Sequence, residues 1–119
     1  MRGTEVESHD AVESVSAAAV LAKAALRAGA WLGLSDSELC SALQIERLDA
    51  PLQAGSPSWY GALGLIQLAL RLERLLGTAD AARRWMRGPN MGLRRPPIEI
   101  LVEPGGPMTL VDYTHGFTR

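Results

Sequence analysis

Cysteine, aromatic residues and early prolines are scarce in this chain of 119 residues: it has one Cys, six aromatics (three Trp, two Tyr, one Phe) and no proline before Pro51. A lone Cys40 excludes an internal disulfide framework and fits a reducing compartment, so a cytoplasmic location is expected. The first ten residues carry Glu5, Glu7 and Asp10 where a secretory signal needs a basic region and an apolar run. The longest apolar stretch, Gly61 to Leu70, is broken by Gln67 and closed by Arg71. A membrane span needs about 20 predominantly apolar residues, so no membrane partner is expected. His9 and His115 lie at opposite ends of the chain, so with a single cysteine no metal site is expected. Gly88-Pro89-Asn90-Met91-Gly92 lacks the Lys-Ser/Thr of a phosphate loop, and no Gly-x-Ser-x-Gly elbow occurs. Cys40 has no histidine nearby and reads as a buried structural thiol. No catalytic residues and no cofactor are expected, and binding is a better class than catalysis.

Apolar residues make up 47 % of the chain, which is globular rather than disordered. The net charge of −1 hides an asymmetry. Residues 1–70 hold four bases and eight acids, whereas residues 71–119 hold eight bases and five acids. An acidic first part repels a phosphate backbone.

The pattern is all-α. From Asp10, a plausible N-cap, to Arg27 the run is alanine-rich, with Val12, Val15, Ala19, Ala22 and Leu26 forming one apolar stripe. Residues before Asp10 read as frayed. Gly33 is a helix stop, and Ser35-Asp36-Ser37-Glu38 is a capping box that opens a short helix through Gln44, burying Leu39, Ala42 and Leu43. A third element from Ile45 to Leu52 is interrupted by Pro51. Ser56-Pro57 then starts the longest helix, to about Leu76. Trp59, Leu63, Ile66, Leu70 and Glu73 lie on one line of it, and Leu65, Leu68, Leu72, Leu75 and Leu76 widen the apolar surface. Thr78 caps a helix from Ala79 to Arg87, Pro97 opens a short one to Leu101, and Met108 to His115 is the last, anchored by Leu110, Val111 and Tyr113. We divide the chain into residues 1–55, helix-turn-helix-like and dimerising, and residues 56–119, the long helix and a small helical binding domain. Its apolar helices offer more surface than a chain this size readily buries, which predicts a homodimer.

Leu32 to Ile45 resembles the first part of the helix-turn-helix in Xre-type repressors. The recognition element would be Glu46 to Gly55, where Arg47 and Gln53 are the candidate DNA-binding residues. Glu46, Asp49 and Pro51 weaken it, so operator DNA is expected as a partner only weakly or within a complex.

The segment from Ala81 to Leu101 is the most specific. Trp85, Pro89-Asn90, Leu93, Pro97, Glu99 and Leu101, followed by Gly105 or Gly106 and Val111, resemble the toxin-binding domain of the Xre/MbcA/ParS antitoxin family, over roughly residues 72–118. Arg95 stands where the family often has glycine. Taken alone, these residues mostly specify a scaffold: Trp85 is read as a core anchor, Asn90 as a turn or cap residue.

The resemblance implies an antitoxin of a type II toxin–antitoxin pair. The family's partners are RES-domain toxins, which consume NAD⁺ or transfer ADP-ribose, and neutralisation is implied to be steric, at the toxin's NAD pocket. The candidate toxin-binding residues are Arg94, Arg95, Asp112, His115, Gly116, Phe117, Thr118 and Arg119. Phe117 offers an apolar face for a pocket that stacks rings, the terminal carboxylate can imitate a phosphate, and Arg119 can pair with an acid. Asp112 and His115 share a helical face. The alternative is a small helix-turn-helix repressor acting on DNA.

Overall fold

The computed structural model describes residues 2–116, and side chains from Ala17 onward. Phe117, Thr118 and Arg119 lie outside the described residues, as do the side chains of Val12 and Val15. Six helices follow in order: α1 (Arg2–Trp31), α2 (Asp36–Leu43), α3 (Pro57–Leu76), α4 (Ala79–Arg87), α5 (Pro97–Leu101) and α6 (Gly106–His115). No strand occurs among the described residues, so the all-α expectation holds.

The caps read from sequence are in place. The Ser35 hydroxyl accepts from the Glu38 amide at 3.1 Å while the Ser35 amide donates back to Glu38 Oε1 at 2.9 Å. Ser56 caps α3 through the Trp59 amide at 3.2 Å, with Pro57 in the first turn. Thr78 caps α4 through the Ala81 amide at 3.1 Å. Each side chain satisfies an amide that has no partner inside its helix.

α1 corrects the expected boundaries. It starts at Arg2, so Asp10 is not its N-cap, and it continues past Arg27 to Trp31, where Gly33 at φ +75° turns the chain. Its buried face also differs from the expected stripe. Ala25, Ala28, Gly29 and Leu32 are buried, with Leu21 and Ala22 packed beside them, while Ala19 is exposed and Leu26 is 39 % exposed. The reason is close approach. A Cβ on Gly29 would stand 3.0 Å from Leu39, so the small-residue face lies inward.

The same logic reorients α3. Leu65, Leu68 and Leu72 are buried together with Gly61, Ala62, Gly64 and Ala69. The line Trp59–Leu63–Ile66–Leu70–Glu73 is the more open side, and Leu70 is 57 % exposed. A Cβ on Gly61 would come 3.1 Å from the Ala42 carbonyl, and one on Gly64 would come 2.9 Å from the Met108 amide. The glycines of α3 thus admit α2 and α6, and one core runs from Ala25 of α1 to Val111 of α6.

Between α2 and α3 the third element, expected at Ile45 to Leu52, is not a helix. Gln44 takes the left-handed conformation and its amide closes on Cys40 and Ser41, ending α2, and residues 45–56 form a loop. Ile45, Leu48 and Leu52 have helical spacing, but they pack onto the core from this loop, where Pro51 has no amide to give a helix. Cys40 is half-buried rather than buried. α6 begins at Gly106, two residues before the expected start at Met108. Gly106 is required there, because a Cβ would collide with the carbonyls of Ile100 and Leu101.

Candidate partner-binding site

α4 is held against the other end of the molecule by two arginines one turn apart. Arg83 Nε donates to the Trp31 carbonyl at 3.1 Å and its Nη2 donates to the Ala30 carbonyl at 3.0 Å. These are end carbonyls of α1, which carries no basic residue in its own last turn. Arg87 reaches the Gly33 carbonyl at 2.9 Å and grips Glu38 with both terminal nitrogens. The Arg87 bonds hold the Glu38 carboxyl down at about 2 from an ordinary 4.5, against desolvation and with help from the Ser35 amide.

The turn after α4 is built around Asn90. Its Oδ1 accepts from the Leu93 amide at 3.0 Å and from the Tyr113 hydroxyl at 3.1 Å, and its carbonyl accepts from the Arg94 amide at 2.8 Å. The expected cap role of Asn90 therefore extends to α6. Gly92 lies directly under Tyr113, and a Cβ there would strike the phenol oxygen. Of the other scaffold residues, Pro97 and Leu101 are buried, Leu93 is half-buried, and Pro89 and Glu99 are exposed. Trp85 is half-buried against the core, while its neighbour Met86 is fully buried, so Met86 holds the deeper position assigned to Trp85.

The structure brings some of the candidate contact residues together. Arg94 and Arg95 line a groove of about 550 Å³ with Arg87, Pro89, Asn90, Met91 and Pro96. Arg95 is not free: it makes a paired bridge to Glu103 at 2.7 and 2.8 Å, which keeps the Glu103 carboxyl below its usual range. Arg94 sits at φ +65°, so the left-handed position of this turn is Arg94, not Arg95. Asp112, His115 and Gly116 lie at the exposed end of α6. His115 lines a second, smaller groove of about 180 Å³ with Gln67, Leu70, Arg71, Arg74 and Val111. That end of α6 is pinned where Arg71 Nε donates to the buried Thr114 hydroxyl at 3.0 Å, which donates onward to the Val111 carbonyl at 2.7 Å. Sequence reasoning missed Met91, which is 95 % exposed at the tip of the turn, and the Arg83 and Arg87 clasp, whose partners are distant in the chain.

Arg47 and Gln53 are not presented by a helix. Both stand on the 45–56 loop, and Arg47 lies 3.4 Å from Asp49 in an exposed pair. Among the described residues no group of three or more His, Cys, Asp or Glu could hold a metal, and no helix is long and apolar enough to cross a membrane.

No curated protein matches the chain. Residues 71–113, from the arginine that pins α6 to the tyrosine that holds Asn90, match the family model described as the antitoxin Xre/MbcA/ParS C-terminal toxin-binding domain.

Proposed function

We propose that the chain is the antitoxin of a type II toxin–antitoxin pair whose toxin is a RES-domain protein that consumes NAD or transfers ADP-ribose. The single observation that carries this reading is the antitoxin toxin-binding domain at residues 71–113. The chain acts by occupancy, not by catalysis. Residues 56–119 dock on the toxin, and the end of α6, with Asp112, His115 and Gly116, delivers Phe117, Thr118 and Arg119 to the NAD pocket. Residues 1–55, together with the open side of α3, make a homodimer, for which the exposed Val20, Leu26 and Leu70 are apolar surface. The pair works in the cytoplasm, as the lone thiol of Cys40 fits.

The test is NAD turnover by a RES-domain toxin co-expressed with this chain. The full chain abolishes turnover at equimolar ratio, and deletion of residues 116–119 restores it. Full inhibition by the truncated chain would remove the tail from the mechanism. The repressor alternative has less support. Arg47 and Gln53 stand on a loop, and Arg47 already has Asp49 beside it.

A further inference from the structure

We infer that the turn at residues 89–96 is a rigid recognition peg, with Met91 as an apolar anchor and Arg94 as the cation beside it, fitted to an acid-rimmed apolar notch on the toxin. This rests on the antitoxin reading above and adds a contact separate from the carboxyl-terminal tail.

Three observations converge on the peg. First, Met91 is 95 % exposed although the turn that carries it is locked. Asn90 accepts from Leu93 and Tyr113, the Arg94 amide closes on the Asn90 carbonyl, and prolines stand at 89 and 96. A fixed backbone has already lost the freedom that binding would otherwise remove, so an apolar side chain held on it is preorganised for burial by a partner. Methionine is also the apolar side chain that best adapts to an uneven pocket.

Second, Arg94 holds a left-handed φ of +65°, which glycine adopts without strain and arginine does not. A strained position that keeps a long cation points to a use for that cation. Its neighbours in the groove are committed, Arg87 to Glu38 and Arg95 to Glu103. Among the described residues Arg94 has no acidic partner, and it is exposed.

Third, the segment that forms the peg carries charge of one sign, with Glu38 and Glu103 reaching its rim only through Arg87 and Arg95. From Ala81 to Ile98 the sequence holds five arginines and no acid. A partner surface with carboxylates around an apolar recess complements it. A nucleic-acid backbone offers charge but no recess for Met91, and the eight acids of residues 1–70 oppose it.

The experiment measures affinity of the full chain for the RES-domain toxin of the test above by titration calorimetry at low and high salt, with thermal melts of the chain alone. Met91→Ala is expected to weaken binding about tenfold, and Met91→Glu more than Met91→Lys, because the rim is acidic. None of these should move the melting point, since the side chain is 95 % exposed. Arg94→Gly is expected to raise the melting temperature by a few degrees, on the order of 2–4 °C, while weakening binding about tenfold with a shallower salt dependence. A purely structural role for Arg94 cannot give opposite signs in the two readouts. The peg is overturned if Arg94→Gly and Met91→Glu bind as the parent does, or if Arg94→Gly weakens salt-dependent binding to duplex DNA and leaves the toxin affinity intact. If the unaltered chain fails to bind the RES-domain protein at all, the antitoxin reading falls and takes the peg with it.

Discussion

Glu38 and Arg87, 49 residues apart in the chain, meet through two parallel bonds of 2.7 and 2.9 Å. Each side chain also serves the backbone: Glu38 accepts from the Ser35 amide at 2.9 Å, and Arg87 donates to the Gly33 carbonyl at 2.9 Å. One ion pair thereby joins the start of α2, the turn after α1 and the end of α4. It ties the amino-terminal helices to the segment 71–113 that matches the antitoxin family model.

This pair makes stability depend on acid. The folded Glu38 carboxyl titrates at about 2, below its ordinary 4.5. A depressed carboxylate contributes stability that is fully present above the unfolded value and is lost as pH falls towards the folded one. Because the Arg87 side chain is 45 % exposed, solvent screening reduces the contribution to about 1–2 kcal/mol. Glu38→Gln should lower the unfolding free energy by about that much at neutral pH. It should also flatten the fall in melting temperature between about pH 4.5 and pH 2, which thermal melts across that range would record. A parallel fall in parent and variant would remove Glu38 as the source.

The second prediction concerns Gly92 and Tyr113. An alanine at 92 displaces the Tyr113 hydroxyl and breaks its bond to Asn90, costing about 1–2 kcal/mol. Tyr113→Phe loses the same bond but removes the oxygen in the way. The double variant should therefore be less destabilised than the sum of the singles, by about 1 kcal/mol in urea unfolding. Strict additivity would show that the two residues do not touch.

Much of this architecture was legible in the sequence because its signals are local. Ser35, Ser56 and Thr78 announce helix starts within three residues of the amides they serve, and Gly33 and Gly77 announce stops. The faces of α1 and α3 were not legible, for a physical reason. When glycines and alanines line an interface, the larger residues stay on the open side, and a stripe of big apolar side chains misidentifies the buried face. Arg83 and Arg87 carry no local signal of their roles, since their partners lie at least 49 residues away. Arg47 and Gln53 illustrate the opposite error: Ile45, Leu48 and Leu52 have helical spacing, yet a loop satisfies all three.

The proposed homodimer gives a third test. Ala24, Arg27, Trp31, Ile66 and Leu70 line a groove of about 310 Å³ between α1 and α3, with Leu70 as its exposed ridge. Leu70→Glu should leave the melting temperature within a few degrees of the parent, because an exposed position contributes little to the fold (within about 0.5 kcal/mol). It should convert a dimer to a monomer in sedimentation velocity. An unchanged sedimentation coefficient for Leu70→Glu, with the parent dimeric, would place the seam elsewhere.

Thr114 supplies the last test. It is fully buried at the end of α6, and its hydroxyl is both acceptor for Arg71 Nε and donor to Val111. Valine has nearly the same shape, so Thr114→Val leaves packing intact and removes one acceptor from a partly buried guanidinium. Hydrogen bonds to charged groups contribute about 1.5–3 kcal/mol, and a loss towards the lower end is expected because Arg71 retains other interactions. The loosened segment is the one from which residues 116–119 emerge. If α6 positions that tail, Thr114→Val should speed dissociation from the proposed toxin partner more than it slows association, since the docked geometry is weakened and the approach is not. Serine at 114 keeps the hydroxyl and should restore the parent dissociation rate, even though it loses a methyl group from the core. Failure of serine to restore it would assign the effect to packing instead of the Arg71 bond.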